Sequence, residues 1–207
     1  MPSLIAHYVE NFAAFDKLCE TLPRAMIDQY PWGGVYRPEA YGQLAWNEDG
    51  IFVRLCARES APRAVETGDN SPVYQDSCLE FFVNPCPEQV VFCNFETNAN
   101  GAMYLAFGPE YEPDRTILSR AAFDKFSLRA KQTEKAWEVI YQVPAAYFRQ
   151  FAPEFALHDE MELPGNFYKC GDATEHPHYG CWSPIRPEVK TPNFYHVCDF
   201  GSILFKK

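Results

Sequence analysis

No run of 18 uninterrupted apolar residues occurs in this 207-residue chain, so no membrane-spanning helix is expected. The first residues carry no basic segment leading into an apolar stretch; no secretory signal is visible, and a cytoplasmic location is the expectation. No two cysteines are spaced as CxxC, which removes the strongest zinc signature. Basic residues are in the minority, 18 Lys and Arg against 28 Asp and Glu. The net charge of -10 argues against nucleic acid or an anionic membrane as partner, since both reward clustered cations. Neutral and cationic ligands remain.

The length suits one domain, residues 1–207, with a sizeable core. Aromatics make up 16% of it and prolines number 17, a mix that favours strands separated by irregular loops over a helical bundle. Eight cysteines are present, but Cys56, Cys78 and Cys93 fall inside expected strands, so buried thiols are expected rather than a disulfide framework.

The most informative stretch runs from Tyr74 to Gly101. Residues 74–83 and 90–98 alternate with period two, are rich in aromatic and β-branched side chains, and flank the turn residues Asn84, Pro85, Cys86 and Pro87; they predict two antiparallel strands. Alternation in the second places Val91, Cys93, Phe95 and Thr97 on a core face and Phe92, Asn94, Glu96 and Asn98 on the other. Three hydrogen-bonding groups in line suit a ligand with many hydroxyls, and they also suit an ordinary solvated sheet face.

Elsewhere, apolar spacing predicts a helix over 10–21 stopped by Pro23, and a short strand over 25–28. A hairpin over 40–46 and 51–59 turns at the Asp49–Gly50 pair, with Arg54 and Arg58 facing outward, where Glu80 or Glu96 are expected partners. Trp32, beside Gly and Pro, either stacks on a sugar or packs. Further strands are expected over 102–107, 127–131 and 136–143, with Trp137, Val139, Tyr141 and Val143 sharing a core face, then a short helix over 145–151 and a last strand ending at Phe205. Arg115, in the loop 108–116, is a candidate sugar ligand because a guanidinium can donate to two adjacent hydroxyls. In the segment 163–185, a short strand with a loop dense in hydrogen-bonding and aromatic groups, Asp172, His176, His178 and Cys181 carry zinc-ligand chemistry at spacings of no standard site.

The run Asp76-Ser77-Cys78-Leu79-Glu80-Phe81-Phe82, then Asn94-Phe95-Glu96-Thr97-Asn98 and Gly101, resembles the central pattern of the family 9 carbohydrate-binding modules. The later Asn166-Phe167-Tyr168-Lys169-Cys170-Gly171-Asp172 segment and the Trp182-Ser183-Pro184 ending are similar to the stand-alone branch of that family, extending the resemblance from about Ile27 to Phe205. It implies an all-β fold, an antiparallel, jelly-roll-like β-sandwich that binds a mono- or oligosaccharide, and it allows a structural calcium; no cofactor is otherwise required. Lys169, Asp172, His178 and Trp182 match recurrent positions of the family.

The expected reading is therefore non-catalytic carbohydrate binding. Trp182 would be the stacking platform, with Asn94, Glu96, Asn98, Arg115, Lys169, Asp172 and His178 as polar contacts. Two alternatives stay open. One is an enzyme hydrolysing O-glycosyl bonds in carbohydrate catabolism, pairing Asp76 or Glu80 with Glu96; the other is haem binding through Met103 or His178.

Overall fold

The computed structural model describes residues 1–123 and 125–207. The chain begins with β1 (Ser3–Tyr8), the short helix α1 (Phe12–Leu18), β2 (Ala25–Met26) and the hairpin β3 (Ala40–Asn47) and β4 (Gly50–Ala57). A meander follows: β5 (Cys78–Val83), β6 (Phe92–Asn98), β7 (Met103–Gly108) and β8 (Thr116–Ile117). Then come β9 (Arg129–Gln132), β10 (Trp137–Pro144), the single-turn helix α2 (Ala145–Phe148), β11 (Glu162–Cys170), β12 (Tyr179–Cys181) and β13 (Gly201–Lys206).

The strands hydrogen-bond in the order β8-β7-β6-β5-β11-β13-β1-β3-β4-β10-β9, with β12 beside β11 and β2 beside β3. The purely antiparallel arrangement expected from the sequence is corrected at one place. β1 runs parallel to both of its neighbours, β13 and β3, so the sheet is mixed. This strand was missed because its residue types do not alternate: apolar Ile5 lies on the exposed face between buried Leu4 and Ala6.

The sheet curls until its two halves face each other. The close approach is clearest at Gly42 of β3, where a Cβ would lie 2.2 Å from the Phe167 ring of β11, so a side chain there would have to displace an aromatic in the core. Phe81 stacks on Phe95 and on Phe167, and Phe95 reaches across to Tyr141 of β10 at 6.3 Å. Burying each such ring contributes roughly 2 to 3 kcal/mol, and the alternation of β5, β6, β10 and β11 directs them all inward.

Both outer faces are also covered in part. On the β3–β4–β10 side, α1 is capped by Asn11, whose Oδ1 accepts from Ala14 N–H, and it sets Phe15 against Phe52. The helix is shorter than expected because the chain tightens into a 3-10 turn at Cys19–Thr21. Arg54 shares this face and donates to Glu138 and Glu20, so the expected pairing with Glu80 or Glu96 does not form: those residues lie in the other half of the sheet. On the β5–β6–β11 side the segment 182–200 folds back, packing Ile185, Phe194 and Phe200 on Phe82, Phe92 and Tyr168.

Candidate functional site

That returning segment does not cover the whole face. It leaves a cleft of about 760 Å3 over β5, β6 and the end of β11. The floor follows from strand register. With the turn after Val83, Glu80 on β5 stands directly opposite Glu96 on β6, flanked by Tyr168 and Tyr104 on the next strands. Alternation puts Cys78, Glu80 and Phe82 on this face and Leu79, Phe81 and Val83 in the core.

Both carboxyls are almost wholly buried, Glu80 at 2% exposure and Glu96 at 4%. Each spends one oxygen on a neutral neighbour: the Cys170 thiol donates to Glu80 Oε1 at 3.0 Å, and the Asn94 amide donates to Glu96 Oε1 at 2.8 Å. Burial pushes the Glu80 carboxyl well above the usual carboxylate range, and the Cys170 sulfur and the Glu96 charge push it the same way. Burial raises Glu96 to about 7, against the opposing pull of the Asn94 hydrogen bond and the Arg115 charge.

The walls are aromatic. Tyr74 and Tyr111 are exposed at the rim, 41% and 65%, and Tyr179 and Tyr195 are partly buried within. Glu110, Glu112 and Asp172 extend the acidic lining. Asp172 is tied into the wall. Its backbone N–H donates to Tyr74 O at 3.1 Å, tying the end of β11 to the turn that carries the rim tyrosine, and burial raises its carboxyl while a Tyr179 hydrogen bond lowers it. Carboxyls beside exposed rings can bond hydroxyls while a ring face packs on C–H groups.

A family model for carbohydrate-binding family 9 matches residues 14–205. The chain belongs to carbohydrate-binding family 9. A crystal structure of a proposed carbohydrate-binding protein from Bacteroides uniformis is similar over 99% of both chains, with 27% identity and a TM-score of 0.85. A family 9 module from Caldicellulosiruptor kristjanssonii, solved with glucose, shares the fold at 12% identity and a TM-score of 0.69, covering 99% of this chain and 96% of that one. Its cellotriose complex aligns at 12% identity with a TM-score of 0.70, over 99% and 94%. No curated protein matches the sequence.

Within this family 9 fold the residues expected to form one site are divided between the two faces of the sheet. Glu96 and Asp172 line the cleft. Asn94 lies behind Glu96, fully buried, with its Oδ1 accepting from Arg115 at 2.6 Å. Arg115 is 9% exposed; it donates also to Gly108 O, Pro109 O and Phe92 O, and it stacks on the Phe92 ring at 3.8 Å. Asn98 is a clamp. It donates to Glu66 O and Asp76, and accepts from the Asn100 and Ala102 amides, which exhausts its bonding capacity.

Trp182 packs in the core. It is 9% exposed, edge-on to Phe167 in the main core, and so close to Gly201 that a Cβ there would be 2.6 Å from the indole. Lys169 points to the core face because it alternates with Cys170; its ammonium meets Glu59 at 3.5 Å and His178 Nε2 at 2.7 Å. His178 is therefore buried on that same side, and with Nδ1 bonded to His176 O neither nitrogen is free for a metal or haem. Met103 is fully buried. Trp32 donates to Val189 O and packs on Phe194.

The expected set Asp172, His176, His178 and Cys181 does not converge; among the described residues the one gathered group of His, Cys and acidic ligands is Cys78, Glu80 and Cys170. Two thiols are soft donors and do not fit calcium. Asp76, the other carboxylate weighed for hydrolysis, is fully buried and committed to Val65 N, Glu66 N, Arg63 and Asn98. Tyr74, Tyr111, Tyr179 and Tyr195 were missed. Glu80 was legible as a partner of Glu96 on the facing strand; Tyr179 comes from the short β12 and Tyr74, Tyr111 and Tyr195 from segments outside the strands, and which of them reach the cleft is set by tertiary packing.

Proposed function

We propose that the protein binds a sugar in this cleft without transforming it. The observation that supports the reading is the convergence, in a member of carbohydrate-binding family 9, of exposed tyrosine rings with buried carboxyls in one open cavity. Tyr74 and Tyr111 would replace Trp182 as stacking surfaces. Glu80, Glu96, Asp172 and the exposed Asn193 would take hydroxyls; Asn193 Oδ1 accepts from Tyr195 N–H, leaving its amide donors to the cleft. The similar modules in complex with glucose and cellotriose make glucose-type pyranoses the first ligands to try.

Calorimetry of the full chain with mono- and oligosaccharides tests this, beside an assay for new reducing ends. Heat of binding without released product supports the binding reading. Product formation abolished by Glu80→Gln or Glu96→Gln would replace it with hydrolysis, because those carboxyls are the pair the cleft offers to a glycosidic bond.

A further inference from the structure

We propose that the cleft selects an amino sugar, its ammonium seated between Glu80 and Glu96. This rests on the sugar reading above and narrows it. Among the described residues the lining includes five carboxylic acids, Glu80, Glu96, Glu110, Glu112 and Asp172, and no Lys, Arg or His.

The floor pair is the sharper observation. Two buried carboxyls directly opposite on neighbouring strands cost stability whether they repel as charges or are held protonated above their usual range, so a structural role alone gives no reason for them here. Their occupied oxygens take only neutral donors, the Cys170 thiol and the Asn94 amide. The remaining oxygen of each has no protein donor, and neither is sealed from solvent, so both face the cleft. Arg115 does not fill the gap. Its four donated bonds go to three backbone carbonyls and to Asn94, and none goes to either carboxyl.

A protonated amine answers this arrangement better than a hydroxyl. It brings three donors and a positive charge, bonds both free oxygens at once, and each bond is charge-assisted, about twice as strong as a neutral one. Acylating the amine removes the charge and should remove the preference.

The test is calorimetry at pH 7 of the full-length protein with glucosamine, glucose and N-acetylglucosamine, and with calcium chloride alone. We expect glucosamine to bind at least about tenfold tighter than either neutral sugar. Glu96→Gln and Glu80→Gln, which keep an acceptor for Asn94 and Cys170, should each lower glucosamine affinity more than glucose affinity. Glucose or N-acetylglucosamine binding as well as glucosamine would overturn the inference and leave the sugar reading standing. So would a preference for the amine that survives both substitutions, or tight calcium binding that displaces the amine. Binding of no sugar at all would remove both. If neither variant folds, the ratio of affinities in the unmodified protein still decides.

Discussion

Lys169 and His178 are both buried, and the Lys169 ammonium donates to His178 Nε2 across 2.7 Å. The imidazole must then be neutral, with its proton on Nδ1 facing His176 O. Glu59 completes the group, accepting from the Trp137 indole, the Ser77 hydroxyl and the Tyr36 hydroxyl as it faces Lys169. A charged network sealed beneath the sheet holds the late loop 171–178 against the core, on the face opposite the cleft.

Removing the cation should expose how strongly the network is held. Lys169→Met leaves the Glu59 carboxylate buried without its ammonium and should cost about 3 to 5 kcal/mol, measured as a fall in the urea midpoint. Because this side chain points away from the cleft, sugar affinity of the folded variant should change little.

His178 makes the protein acid-sensitive. Burial, and then the Lys169 charge, lowers its pKa to about 4 from 6.5. Below about 6.5 the unfolded chain gains a proton that the folded one refuses, so stability falls as pH drops from about 6.5 towards 4. Urea titrations of wild type and His178→Gln at pH 7 and pH 5 should show the wild type losing roughly 1 to 2 kcal/mol more.

Glu96 acts with the opposite sign. Its folded pKa is raised from 4.5 to about 7, so the folded state holds a proton that the unfolded state releases, and stability is lost as pH rises through that window. Glu96→Gln lacks this loss. Its stability relative to wild type should improve by roughly 1 to 3 kcal/mol between pH 4.5 and pH 7.5, read from the same titrations.

Trp182 and Tyr111 separate packing from binding. Trp182→Ala empties a core position against Phe167 and Gly201 and should cost roughly 3 to 5 kcal/mol. Tyr111→Ala, at an exposed rim, should change stability by less than about 0.5 kcal/mol. Calorimetry should find sugar affinity reduced roughly threefold to tenfold in Tyr111→Ala, the size of one aromatic packing contact.

Alternation alone determined which side chains of β5, β6 and β10 enter the core, because the two faces of a strand are set by parity within the chain. It also placed Asn94, Glu96 and Asn98 on one surface, and the family pattern announced a sugar-binding fold. Only the tertiary structure decided the rest. Parity could not say that this surface would be roofed by residues 182–200, leaving Asn94 and Asn98 as supports and Glu96 as a lining group. Nor could it seat Trp182 in the core, turn β1 parallel to its neighbours, or gather rim tyrosines from separate loops. Those outcomes depend on which distant segments meet, and periodicity reports only on neighbours along the chain.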